Sequence, residues 1–135
     1  MKFKSKFNIA KWEESTIEQL TLDSKVSNAV VEYDLEGDFT GKAKVNYQMF
    51  YDHVDSENHL KSNAQYIGLL VVEGEFQNKK GTFVLRDEGT FENGIARSSL
   101  KVIPGSGTDD FTKIVGKGGY EASHTDSTFE LDFTL

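Results

Sequence analysis

Apolar and polar residues alternate along four stretches of the chain. Side chains of successive strand residues point to opposite faces, so this pattern predicts strands with one buried face and one solvent-facing face. A common core for all four is expected if the strands are antiparallel. The apolar members are Phe3, Phe7 and Ile9; Ala29, Val31, Tyr33 and Leu35; Ala43, Val45, Tyr47, Met49 and Tyr51; and Phe129, Leu131, Phe133 and Leu135.

A further strand is predicted at residues 66–76, YIGLLVVEGEF, where apolar residues occupy both faces for most of the length. This composition predicts a strand that is buried on both sides. In a closed barrel, the outer face of this strand would need cover from the N-terminal segment or from another subunit.

Turn signals separate the predicted strands. Asn93-Gly94, between Phe91 and Ile95, is typical of a two-residue hairpin turn, and looser turns are expected at residues 36–41 and 78–81. The spacing predicts about eight strands in an antiparallel barrel, because closure removes exposed strand edges. We expect one domain, residues 1–135, in which only residues 12–22 and 108–115 could hold a helical turn.

Charge and cysteine content narrow the function classes. The net charge is -7, from 15 basic and 22 acidic residues, and the scattered basic residues offer no stripe for a nucleic-acid backbone. The chain has no cysteine and no apolar run of membrane-spanning length. We therefore expect a soluble, cytoplasmic protein that binds neither nucleic acid nor membrane and holds no cofactor.

Residues 102–122, VIPGSGTDDFTKIVGKGGYEA, are rich in glycine and invite comparison with a phosphate-binding loop. Such loops need G-x-G-x-x-G or G-x-x-x-x-G-K-[ST] before a helix. Here Gly105-Ser106-Gly107 lacks the third glycine, and Asp109 and Asp110 would repel phosphate. The pattern favours a structural bend over an anion site.

The structural interpretation of this segment gives each residue a packing role. Thr108 is expected to cap a single helical turn, while Phe111, Ile114 and Val115 close the core beneath it. The glycines of residues 116–119 would allow a strand to bend or to approach its neighbour closely.

The same segment carries a family resemblance. PGSGTDDFTKIVGKGGYEA, AQYIGLLVVEGEF, KKGTFVLRDEGTFENGIA and TFELDFTL together resemble the bacterial family of unknown function DUF3224 in order and spacing. More distantly, the segment is similar to the G-G-T-G-x-[FY] stretch of plant allene oxide cyclases and dirigent proteins. The resemblance implies an eight-stranded antiparallel β-barrel of allene oxide cyclase type, often a homo-oligomer, and implies no activity.

The chain departs from this family at two positions. Many members read G-L-E-R and F-V-L-Q-H in adjacent strands, whereas this chain has Leu70 at the glutamate position and Asp87 at the histidine position. This chain therefore lacks the Glu/His pair on which such chemistry would rely.

Polar residues on the inward faces are the candidate ligand-binding residues. A small barrel holds either packed side chains or one small ligand, and tyrosines suit both because they can also satisfy their hydroxyls within a core. Asp87 must meet water at the strand end, find a partner such as a tyrosine hydroxyl, or hold a proton and act as an acid or base. The candidates are Tyr33, Tyr47, Met49, Tyr51, Asp87, Ser98, Tyr120 and His124.

Other polar groups indicate no site. His53 and His59 lie in a polar insertion whose spacing matches neither a calcium loop nor a zinc signature, so no metal site is predicted. Ser123 and His124 are neighbours in the chain and define no catalytic triad. Trp12 and the acids that follow it are expected to form either a lid or a solvated crossing.

Three functions remain open. The first is a non-enzymatic binder of a small apolar or amphipathic molecule, and the second is an isomerase or cyclase that shapes a bound substrate around one acid. The third is a filled barrel with a structural or interaction role. A cavity in the barrel would separate the first two from the third.

Overall fold

Eight antiparallel strands close into a single ring in the computed structural model, which describes residues 1–135 apart from the side chain of His59. Each strand pairs with the next in sequence, and β1 pairs with β8 to complete the closed barrel. This confirms the predicted all-β antiparallel ring. The strands are β1 (Lys2–Gln19), β2 (Lys25–Gly37), β3 (Phe39–His53), β4 (Asn63–Phe76), β5 (Lys79–Glu92), β6 (Ile95–Val102), β7 (Val115–Ala122) and β8 (Ser127–Thr134), with short 3₁₀ turns at His59–Lys61 and Asp109–Phe111.

Phenylalanine side chains fill one end of the barrel, here called the closed end. The ring of Phe3 lies 5.3 Å from that of Phe39 and 5.4 Å from that of Phe133, centroid to centroid. Phe111 packs 5.4 Å from Phe83 across the same end. Contacts of this kind add to the free energy gained from the buried area. The closed end is therefore a packed core.

The alternation predicted for β2, β3 and β8 is confirmed, but in β1 it breaks at a bulge. Ile9 pairs with Tyr33 and Lys11 with Glu32, so Ala10 is an extra residue in β1. After an extra residue, the positions that would have faced outward face inward, and the reverse. The expectation of a helical turn within residues 12–22 is wrong, because residues 12–19 continue β1 as a strand; a second irregularity follows between Thr16 and Glu18.

The prediction that residues 66–76 are buried on both sides is also wrong for the chain alone. Ile67, Leu69 and Val71 point outward and are 46%, 54% and 50% exposed. The N-terminal segment does not cover them, because β1 pairs with β2 and β8 on another side of the ring. An uncovered apolar row therefore runs along the outer face of β4.

The glycine-rich segment bends across the closed end and follows the edge of β5. The backbone N–H of Thr108 donates to the carbonyl of Thr82 at 2.9 Å, and the Ser106 hydroxyl accepts from the N–H of Val84 at 3.0 Å. The predicted single helical turn is observed as a 3₁₀ turn at Asp109–Phe111, and Phe111 and Ile114 are buried as expected. The bend is held by these contacts with β5.

Two details of that prediction are corrected. The Thr108 side chain makes no capping hydrogen bond, because its hydroxyl accepts from the Thr82 N–H at 3.0 Å instead. Val115 is 46% exposed, since it begins β7 on the outward face. The expected close approach of β7 is observed at Gly118, where a Cβ would overlap the carbonyl oxygen of Glu130 on β8.

The hairpin predicted at Asn93-Gly94 is confirmed, with positive φ angles of 52° and 75° at the two turn residues. The turn expected at residues 78–81 forms one residue earlier, at Gln77 and Asn78. In the described residues, no helix is both long and apolar enough to cross a membrane.

Two phenylalanines on β3 test the packing of the closed end. Phe39 is fully buried, whereas Phe50 is 38% exposed on the outer face of the same strand. We expect Phe39→Ala to lower the free energy of unfolding by about 3–5 kcal/mol, the usual cost of deleting a buried ring. Phe50→Ala should cost much less, as measured by urea denaturation. Equal losses would contradict the described core.

Candidate functional site

The half of the barrel opposite the closed end is not filled. A cavity of about 380 Å³ opens there, within the size range of small-molecule sites. It exists because β1 leaves β8 after Lys6 and continues with β2 as a projecting hairpin, so the ring widens at this end. All five tyrosines of the chain line it: Tyr33, Tyr47, Tyr51, Tyr66 and Tyr120.

Asp87 lies directly beneath the tyrosines. Its side chain is 0% exposed and follows Phe83 and Leu85 on the inward face of β5, in the register expected from the sequence. Tyr47 donates to its Oδ2 at 2.6 Å, and Tyr120 donates to the same atom at 2.9 Å. Of the alternatives considered for Asp87, water contact at a strand end is wrong, since β5 continues to Glu92, and the tyrosine-hydroxyl partner is observed.

The direction of the hydrogen bonds can be assigned. A tyrosine hydroxyl has one proton, and Tyr47 gives its proton to Asp87. In the 3.2 Å contact between Tyr33 and Tyr47, Tyr33 must then be the donor. The result is a chain that runs from Tyr33 through Tyr47 to Asp87. Tyr66 and Ser98 form a second short hydroxyl contact beside it.

Burial raises the pKa of the Asp87 carboxyl above its ordinary value, and the nearby hydroxyls of Tyr47, Ser98 and Tyr120 limit the rise. Ser98 lies close to this carboxyl, although its hydroxyl is hydrogen-bonded to Tyr66. Burial likewise raises the pKa of Tyr33, Tyr47 and Tyr120. These tyrosines therefore stay neutral and remain hydrogen-bond donors.

The second oxygen of Asp87 is not paired within the protein. Oδ1 is buried and has no hydrogen-bond partner. A small space of about 20 Å³ lies among Asp87, Tyr33, Tyr47 and Tyr120. Leu70 borders the same space, so the two positions at which the chain departs from the Glu/His pattern lie together.

A second carboxylate stands at the rim of the cavity. Glu14, in the part of β1 that follows the bulge, accepts hydrogen bonds from Tyr51 at 2.9 Å and Ser27 at 3.1 Å through Oε2. Its other oxygen accepts from the indole N–H of Trp12 at 3.2 Å. Trp12 itself lines the cavity, so the rim is organised around one acid.

The structure brings together most of the residues predicted from sequence. Met49 and His124 line the cavity with the tyrosines, whereas Asp87 and Ser98 lie beneath it and contact those tyrosines. The sequence reasoning missed Tyr66, which the two-sided apolar pattern of β4 concealed. It also left the role of Glu14 open, because the bulge at Ala10 changes which residues of β1 face inward and the sequence pattern does not reveal the bulge.

The remaining candidates lie elsewhere. His53 contacts Asp23 at 3.4 Å on the exposed surface, and the side chain of His59 lies outside the described residues. Ser123 contacts Thr125 through its hydroxyl at 3.2 Å. Among the described side chains, no group of three or more acids and histidines is placed to hold a metal ion.

Comparison with known proteins identifies the family. The family model described as "Protein of unknown function (DUF3224)" matches residues 3–135. The chain belongs to the DUF3224 family.

A solved structure shares the fold of this DUF3224 chain. It is a crystal structure of a protein of unknown function from the DUF3224 family of Shewanella oneidensis MR-1, with a TM-score of 0.78 and 18% sequence identity. The match covers 100% of this chain and 97% of the other. No curated protein matches the chain.

Asp87 should make stability depend on pH. Its carboxyl binds a proton more tightly in the folded chain than in the unfolded chain, where the pKa is near 3.8. The stability gained from this tighter proton binding is therefore fully present below the unfolded-state pKa. It is lost as the pH rises through the raised pKa of the folded state. We expect the difference in unfolding free energy, wild type minus Asp87→Asn, to fall by at most about 1.4 kcal/mol per pH unit over this interval.

The measurement is urea denaturation of both proteins at a series of pH values. Asp34→Asn, an exposed acid on the outer face of β2, is the control and should give a difference that does not fall in this way. A flat or rising difference for Asp87→Asn would show that the carboxyl is not desolvated as described.

Proposed function

We propose that the protein binds a small apolar or amphipathic molecule in the open end of the barrel. The observation that carries this proposal is the cavity of about 380 Å³ with a wall of aromatic side chains. Ligand sites are typically concave, mostly apolar and supplied with a few fixed polar groups. The tyrosine hydroxyls above Asp87 would hold the polar end of such a ligand.

The filled-barrel alternative has less support. The closed end is packed with phenylalanine, but the open end has a cavity well above the ~100 Å³ below which typical ligands do not fit. A structural role would not require Tyr33, Tyr47 and Tyr120 to form a hydrogen-bonded group around one buried acid beside this cavity.

An isomerase or cyclase is the second candidate, and a buried acid with a raised pKa beside a cavity favours it. Tyr33, Tyr47 and Tyr120 lie between Asp87 and the main cavity, so a proton would pass through a tyrosine hydroxyl. A molecule recovered from cells could decide between the two. An enzyme converts it, and Asp87→Asn stops the conversion while binding persists; a binder returns it unchanged.

We further propose that the barrel is of allene oxide cyclase type and forms a homo-oligomer. The strand order and the glycine-rich bend support the first statement, and the uncovered row Ile67, Leu69 and Val71 on β4 supports the second. Cytoplasmic location, and the expectation of no nucleic-acid, membrane or cofactor partner, remain predictions from sequence.

Ligand binding can be followed through Trp12, the only tryptophan, which lines the cavity. We expect 1-octanol to produce a saturable change in its fluorescence. Ala122→Phe adds a ring at the cavity wall and should weaken octanol binding by about tenfold or more. Thr40→Phe, on the exposed surface near the closed end, is the matched control and should bind normally.

Equal affinity in the wild type and the Ala122→Phe variant would place the octanol elsewhere. Absence of any saturable response would contradict the proposed binding function. Native mass spectrometry of protein taken directly from cells gives an independent test, because a bound molecule would add a defined mass.

The oligomer is tested by light scattering after size-exclusion chromatography. Leu69→Glu puts a charge in the centre of the apolar row on β4 and should dissociate the assembly. Thr134→Glu adds the same charge at an exposed position of β8 and should leave it intact. A monomeric wild type, or an unchanged mass for Leu69→Glu, would contradict an interface on β4.

A further inference from the structure

We propose that the cavity selects an amphipathic amine: a ligand whose polar end donates hydrogen bonds and carries positive charge, attached to an apolar body. This inference deepens the proposed binding function and rests on it. Three independent features of the site point to this head group.

The first feature is the direction in which the hydroxyls donate. Tyr47 and Tyr120 give their protons to Asp87, Tyr33 gives its proton to Tyr47, and Tyr51 gives its proton to Glu14. What these hydroxyls still offer is oxygen lone pairs. A ligand that meets them must therefore supply the hydrogens, as an ammonium group does with up to three N–H bonds.

The second feature is charge. One carboxylate, Asp87, lies beneath the tyrosines at the floor of the cavity, and a second, Glu14, lies at its rim. Among the described side chains that line the cavity there is no lysine or arginine, and His124 is exposed. An ammonium group above the tyrosines would face two acids, and the lining residues themselves supply no lysine or arginine; Lys25 lies outside the lining, against the ring of Tyr51.

The third feature is the aromatic wall. The faces of tyrosine, phenylalanine and tryptophan rings attract cations, and such rings surround quaternary ammonium groups in other sites. Phe7 and Trp12 line this cavity with the tyrosines. One ring already has a cation against it: Lys25 Nζ lies 5.3 Å from the ring centroid of Tyr51.

The same features disfavour a carboxylate ligand. Its oxygens would meet hydroxyl oxygens whose protons are already donated, with Asp87 behind them. An unpaired charge in this position is unfavourable because nothing replaces the water that it loses. Fatty acids should therefore bind less well than alcohols of the same chain length.

The experiment compares 1-octylamine, 1-octanol and octanoate at neutral pH, which differ only in the head group. Trp12 fluorescence reports all three. We expect octylamine to bind about tenfold or more tightly than octanol, and octanoate to bind more weakly than octanol. Binding of octanoate as tight as that of octanol, or no advantage of the amine, would overturn the inference while leaving the binding function intact. If none of the three binds, the binding function itself fails.

Variants separate the site from the general attraction of an acidic protein for cations. Asp87→Asn and Glu14→Gln should each reduce the ratio of octylamine to octanol affinity. Glu130→Gln removes an equal charge from an exposed ion pair with Lys4 and should leave the ratio unchanged. A ratio that persists in Glu14→Gln and Asp87→Asn, or that falls equally in Glu130→Gln, would contradict the assignment. Glu14 is at the rim, so its variant decides the question even if Asp87→Asn does not fold.

Discussion

A carboxyl group inside a barrel must be met by hydrogen-bond donors or hold a proton, because an unpaired buried charge costs several kcal/mol. In this chain the constraint falls on Asp87, which is completely enclosed. Tyr47 and Tyr120 reach it from β3 and β7, on opposite sides of the ring, and Tyr33 continues the chain from β2. One acid thereby fixes the side chains of three other strands. These hydrogen bonds form the polar floor of the cavity.

The widening of the ring follows from the path of β1. Its first residues pair with β8, whereas its later residues pair only with β2. The resulting hairpin carries Trp12 and Glu14 to the rim, where Glu14 binds Tyr51. The cavity is thus a consequence of strand pairing as well as of side-chain size.

Much of this arrangement could be predicted from the sequence. A period of two places Tyr33, Tyr47 and Asp87 on inward faces, because each follows apolar residues at the same parity. The alternation of apolar and polar residues does not show which side chains of different strands meet. The bond between Tyr47 and Asp87 joins residues 40 positions apart, and only the register of the closed ring brings them together.

Local irregularities set the other limit on prediction. The bulge at Ala10 changes which residues of β1 face inward, so the sequence around Glu14 resembles a polar helical segment although Glu14 binds Tyr51 and Trp12 at the cavity rim. In β4, apolar residues on both faces indicate double burial, but the ring leaves the outer row exposed. Tyr66, on the inner face of that strand, is inconspicuous for the same reason. Membership of the family and the fold shared with the solved structure support the architecture described here, but neither identifies a ligand.

The most direct test of the account is the ¹³C NMR signal of the Asp87 carboxyl followed through a pH titration, with Asp87→Asn used to assign it. The account requires this carboxyl to titrate above the ordinary aspartate value of 3.8 and to lose its proton at lower pH when octylamine is bound. A titration at the ordinary value that does not respond to octylamine would show that Asp87 is neither buried beneath the tyrosines nor coupled to the cavity.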